Sequence, residues 1–122
     1  MRVLVVDDDP MAGEMTAAIL EDMGYETVVA ENGVQAAELV GAGPPFDLVL
    51  SDQNMPMVTG IDLFRELRSQ NVSIPFILLT GNNPEGALAE EPALDGCILK
   101  DRTLMEKLPA VVADCMARLS GS

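Results

Sequence analysis

The sequence predicts an α/β protein: a doubly wound parallel sheet with helices on both faces. Short apolar runs and amphipathic stretches alternate five times along 122 residues, the pattern of repeated βα units. The apolar runs do not alternate with polar residues, as expected of strands buried on both sides. The chain is 48% hydrophobic, enough for one core, and a single domain over residues 1–122 is expected.

The first strand is "RVLVV", Arg2 to Val6. Asp9 then reads as a helix N-cap with Pro10 at the first helical position. Met11, Met15, Ala18, Ile19 and Met23 fall on one face of that helix and are expected in the core, and Gly24 supplies the stop. "YETVVA" is the second strand. Asn32 caps a second helix carrying Val34, Ala37 and Leu39, which ends in "GAGPP". "FDLVLS" is the third strand and "GIDLFRELRS" the third helix, with Ile61, Phe64 and Leu67 at a spacing of three. "IPFILLT" and "GCILK" are the fourth and fifth strands.

Between them, "NNPEGALAEEPALDG" leaves room for one or two helical turns, because Pro84, Gly86 and Pro92 interrupt it. The last helix is "RTLMEKLPAVVADCMARLS". Its core stripe is Leu104, Leu108, Val111, Val112, Cys115 and Leu119, and Pro109 is expected to kink or divide it.

Composition removes several functional classes. There is no histidine, which excludes Cys/His metal motifs and His-based nucleophilic or general-base catalysis. The two cysteines, Cys97 and Cys115, do not suggest a disulfide scaffold. Cys97 reads as a small buried hydrophobe. No signal-peptide pattern opens the chain and no apolar run reaches transmembrane length, so a cytoplasmic location is expected. A formal charge of −13 repels nucleic acid and anionic lipid, and favours cations and basic protein patches as partners. Its plain reading is solubility.

The strand ends carry the chemistry. The first ends at Asp7-Asp8-Asp9, the third at Ser51-Asp52, the fourth at Thr80-Gly81 and the fifth at Lys100. In a parallel sheet of this kind all lie on one rim, where ligands bind. Carboxylates gathered there repel unless a cation relieves them, and Mg²⁺ suits one or two carboxylates plus exchangeable water. A carboxylate can also attack phosphorus to give an acyl phosphate, with the ammonium and hydroxyl balancing phosphoryl charge.

These pieces resemble the receiver domain of two-component response regulators, close to its chemotaxis-type single-domain form. "VLVVDDDP", "LVLSDQNMPMVTG", "FILLTG" and "GCILK" stand in the family's order and at nearly its spacing, over almost the whole chain. The resemblance implies a flavodoxin-like five-stranded sheet in the order 2-1-3-4-5, while the Pro- and Gly-rich segment from Thr80 to Lys100 predicts a short or irregular fourth helix. It implies that Asp52 accepts a phosphoryl group from a partner histidine kinase or histidine phosphotransfer protein. Mg²⁺ would sit at Asp7, Asp8 and Asp52, with the backbone carbonyl of Asn54 as a further ligand. Thr80 and Lys100 would contact the phosphoryl group, and Gly81 would keep its approach open. Asp9 is left the plainer task of capping.

Three positions depart from the family pattern. Cys97 stands where Tyr or Phe is usual, so an aromatic rotamer switch cannot operate. Asp101 follows the lysine where a cis-linked proline is usual; a trans bond is expected, since a non-proline cis bond costs ~3 kcal/mol. The segment from Thr80 to Lys100 is shorter than usual and rich in Pro and Gly. The chemical residues are intact and the readout residues altered.

The resemblance implies a signalling domain, not an enzyme in the usual sense, that transfers phosphoryl groups only to itself and loses them slowly. Two other readings compete. One is a receiver-like interaction module that is never phosphorylated. The other is a phosphatase of the haloacid dehalogenase type using Asp7, which gives no role to Asp52 and finds Met11 where it wants Thr or Val.

Overall fold

The computed structural model describes residues 2–43, 45–81, 83–101 and 103–121, with residues 119–121 described by their backbone. Five strands and five helices alternate: β1 (Arg2–Val6), α1 (Pro10–Asp22), β2 (Glu26–Ala30), α2 (Gly33–Ala42), β3 (Leu48–Asp52), α3 (Gly60–Ser69), β4 (Phe76–Thr80), α4 (Pro84–Glu90), β5 (Gly96–Leu99) and α5 (Leu104–Gly121). All strand pairs are parallel and the order is β2-β1-β3-β4-β5. This is the doubly wound flavodoxin-like sheet, and the chain reverses its direction of travel between β1 and β3.

Successive side chains of a strand point to opposite faces. Each central strand therefore feeds two cores. Leu4, Val6, Val49, Phe76 and Leu78 pack with Ala36 of α2 and with Ile61, Leu63, Phe64 and Leu67 of α3. Val3, Val5, Leu48, Leu50, Ile77 and Leu79 pack with Leu20 of α1 and with Leu104, Leu108, Val112, Cys115 and Met116 of α5. The rings of Phe64 and Phe76 meet edge to face at 5.3 Å between α3 and β4.

The helix ends follow the sequence. The Asp9 side chain accepts from the Met11 N–H at 3.1 Å and caps α1. Asn32 accepts from Gln35 N–H at 2.7 Å and caps α2. Thr59 and Asp62 form a reciprocal capping box at α3. Helix α4 has seven residues and buries none of them, as its Pro and Gly content foreshadows.

Three expectations are corrected. The methionine face of α1 is not its core face: Met11 is 72% and Met15 54% exposed, Ala18 is exposed, and Ile19 and Met23 are only partly buried. The buried face is Gly13, Thr16, Ala17 and Leu20. Gly13 contributes to this, since a Cβ there would lie 3.0 Å from Val29 Cγ1: at that turn the helix rides too close to β2 for a long side chain. In α2, Val34 is likewise exposed and Ala36 takes its place inside. Finally, Pro109 does not divide α5, which runs unbroken from Leu104 to Gly121. The bond it removes would end on the Met105 carbonyl, in the first turn. The expected helix start at Arg102 and the side chain of Leu119 lie outside the described residues.

Candidate phosphoryl and metal site

Sheet register brings the strand ends level. Val6 pairs with Ser51, so the next residues, Asp7 and Asp52, emerge side by side at the switch between β1 and β3. Asp52 pairs with Leu79 and Thr80 with Leu99, which carries the rim across to Lys100. The Lys100 N–H donates to the Thr80 carbonyl at 2.6 Å and ties the last two strand ends together.

Asp7, Asp52 and Thr80 are buried, and Asp8 is exposed. One carboxylate oxygen from each of Asp7, Asp8 and Asp52 falls within 4.8 Å of the others. Lys100 Nζ reaches Asp7 Oδ2 at 3.0 Å and Asp52 Oδ2 at 3.2 Å. The other oxygen of Asp7 accepts the Asp9 N–H at 2.9 Å, which fixes the carboxylate in the turn. The Asn54 N–H donates to the Asp52 carboxylate and sets the Asn54 peptide beside the acid.

Burial pushes the Asp52 carboxyl above its ordinary value, against the opposing pull of the Lys100 charge and hydrogen bond; the Asp7 charge adds to the rise. For Lys100, burial works against the charged form, but the hydrogen bond to Asp7 and the charges of Asp52 and Asp7 win, and its ammonium is held more firmly than usual. The pocket is therefore electrostatically poised: acids short of positive charge, served by one lysine.

The donor set fits a hard divalent cation. Three carboxylate oxygens lie close enough to share one ion with small side-chain adjustments, and among the described residues no cysteine joins the cluster. Asp8 opens the cluster to solvent, so coordinated water and phosphate oxygens have an approach.

Gly81 lies on the same rim. A Cβ there would meet nothing nearer than Asn54 Nδ2 at 3.8 Å, so space for an alanine exists. Cys97 is half-buried against the core that α3 covers. The described residues contain no cis peptide bond, and the Lys100–Asp101 bond is trans as expected. In place of proline, Asp101 accepts from the Thr103 N–H at 2.8 Å and from the Thr103 hydroxyl at 2.6 Å, ahead of α5.

Sequence reasoning missed three supports. The Gln53 side chain accepts from the Ile61 N–H at 2.9 Å and its carbonyl accepts from Gly60 N–H at 3.2 Å, latching the loop after Asp52 to α3. Gly60 is sterically required, because a Cβ would lie 2.4 Å from Leu78 Cδ1 and 2.7 Å from the Asp52 carbonyl. Met57 holds φ 68°, a left-handed conformation costly for this residue. Only Gly60, closing "MPMVTG", left a legible signal.

Residues 3–112 match the response regulator receiver domain. The chain belongs to that family. It is 35% identical over 120 residues to the chemotaxis protein CheY1 of Helicobacter pylori, covering 92% of this chain and 97% of that one. It is 44% identical over 88 residues to the transcriptional regulatory protein AruR of Pseudomonas aeruginosa, covering 69% of this chain and 36% of AruR. It is 36% identical to the sensor histidine kinase RcsC of Escherichia coli over 110 residues, 85% of this chain but 11% of RcsC. The chain thus spans a minor part of several curated relatives. Among solved structures, the response regulator TrrA of Thermotoga maritima, in complex with Mg²⁺-BeF, superposes with a TM-score of 0.82 at 32% identity, covering 93% of this chain and 97% of TrrA. As a receiver domain, this chain is a signalling domain of a two-component system, with its acidic cluster at the phosphorylation site. No helix among its described residues is long and apolar enough to cross a membrane.

Proposed function

We propose that residues 1–122 act as one phosphoacceptor receiver in which Asp52 takes a phosphoryl group from a partner histidine kinase or histidine phosphotransfer protein. The observation that carries this reading is the convergence of Asp7, Asp8, Asp52 and Lys100 at one rim. The Asp52 carboxylate oxygen attacks phosphorus, the P–N bond to the donor imidazole breaks, and the imidazole leaves with the bonding pair. An acyl phosphate remains on Asp52.

Asp7, Asp8, Asp52 and the Asn54 carbonyl would hold Mg²⁺, which would supply positive charge for the transferring phosphoryl group and relieve the acids' repulsion. The protein does the rest. Lys100 moves from bridging two carboxylates to pairing with the phosphoryl group, and the Thr80 hydroxyl donates to another of its oxygens. The Gly81 N–H joins them. The burial of Asp52 keeps the nucleophile poorly hydrated and therefore reactive. The signal then passes to a downstream protein, and neither nucleic acid nor membrane is a direct partner of this domain. The domain acts on itself and works in the cytoplasm, not as an enzyme with an external substrate.

The test uses the full chain with Mg²⁺ and acetyl phosphate, read by intact mass. Wild type gains one phosphoryl group and Asp52→Asn gains none. Failure of wild type to label under conditions that label an ordinary receiver domain would favour the interaction-module reading. An adduct retained in Asp52→Asn but lost in Asp7→Asn would favour the phosphatase-type nucleophile.

A further inference from the structure

A groove with a volume of about 450 Å³ lies between α2 and α3, lined by none of Asp7, Asp8, Asp52 and Lys100. Its floor is apolar: Val34, Val58 and Leu63 line it, and Val34 is 47% exposed. Its edges are acidic: Glu38 from α2, and Asp62 and Glu66 from α3. No Lys or Arg lines it, and among the described residues none of the three acids has a cationic partner. The Glu66 side chain accepts from the neutral Gln70 amide at 2.7 Å, and Asp62 serves the capping box.

This combination selects its occupant. An exposed apolar floor gains free energy when covered, and unpaired acids at its edges favour a cover carrying positive charge. A second copy of this chain, of charge −13, would set acids against acids. Anionic lipid and nucleic acid are repelled in the same way. The shape narrows the choice further. The groove runs between two neighbouring helices of ten residues each, about 15 Å long, and such a trough accepts the side-chain ridge of a third helix. We propose that the α2–α3 groove docks a cationic amphipathic helix of a partner protein. Apolar anchors at i, i+3 and i+4 would enter over Val34 and Val58, and flanking Lys or Arg would meet Glu38 and Glu66. The proposal depends on no step of phosphoryl transfer.

The experiment titrates the isotope-labelled full chain with a synthetic Leu/Lys amphipathic helix and with its Leu/Glu counterpart, followed by amide NMR. The Leu/Lys peptide is expected to shift the amides of Val34, Val58 and Leu63, and the Leu/Glu peptide to shift none. Glu38→Gln with Glu66→Gln should weaken binding about tenfold, and Val34→Glu should abolish it. All of these positions except Leu63 and Val58 are exposed, and the thermal midpoint of each variant confirms its fold. Shifts scattered over the acidic surface, or binding unchanged in these variants, would overturn the proposal. So would a peptide-free dimer that Val34→Glu dissociates.

Discussion

Lys100 Nζ lies 3.0 Å from Asp7 Oδ2, joining residues 93 apart in sequence across the mouth of the sheet. The lysine also reaches Asp52, so one ammonium holds the two buried acids that a divalent cation would hold. Lysine and metal are therefore competitors for the same oxygens. Lys100→Met keeps the stem and removes the charge. The acids then lose their internal counter-ion, and breaking a pair of this kind should cost about 2 kcal/mol, less than for a fully buried one because Lys100 is partly exposed. Mg²⁺ should restore more stability to the variant than it adds to wild type. Urea midpoints with and without Mg²⁺ measure both effects. Equal Mg²⁺ shifts in the two proteins would contradict the competition.

The strands were legible because a strand buried on both faces contains almost nothing but apolar residues. The site was legible for a related reason: charged side chains directly after such runs have no core role, and Asp7, Asp52 and Lys100 stand out by contrast. What misled was residue size. Hydrophobic periodicity weights methionine over glycine and alanine, yet α1 lies so close to β2 that Gly13 and Ala17 make its contact and Met11 and Met15 face outward. Gln53 and Met57 gave no signal, since a hydrogen bond to a distant N–H and a positive φ leave no pattern in a single sequence.

Gly60 and Gly81 flank the site and differ sharply in tolerance. Gly60→Ala would drive a methyl group into Leu78 and the Asp52 carbonyl, the latter being backbone that cannot step aside. A loss of about 2–3 kcal/mol is expected, with slower acetyl-phosphate labelling because the Asp52 strand end must shift. Gly81→Ala, with nothing nearer than 3.8 Å, should change stability by less than about 0.5 kcal/mol. Denaturation midpoints of the two variants decide this, and similar losses for both would refute the steric account.

Met57 is 83% exposed, so packing does not offset its left-handed backbone. Met57→Gly should raise stability by up to about 1 kcal/mol, the relief of strain being partly cancelled by the entropy of glycine in the unfolded chain. Met57→Val, β-branched, should lower it. A Gly variant no more stable than Val would show that the loop relaxes without cost.

Asp101 links the altered junction before α5 to pH. Hydrogen bonds from the Thr103 hydroxyl and N–H hold its carboxyl below the ordinary value of 3.8. A depressed acid stabilises the fold above its unfolded pKa, and that contribution disappears as pH falls through the lower folded value. Asp101→Asn keeps an acceptor and removes the charge. Thermal midpoints should therefore show wild type ahead of Asp101→Asn by a constant margin from neutrality down to about pH 5. The margin should shrink below 3.8 and close in stronger acid. A margin that widened on acidification would mean that the charge at this junction opposes the native loop.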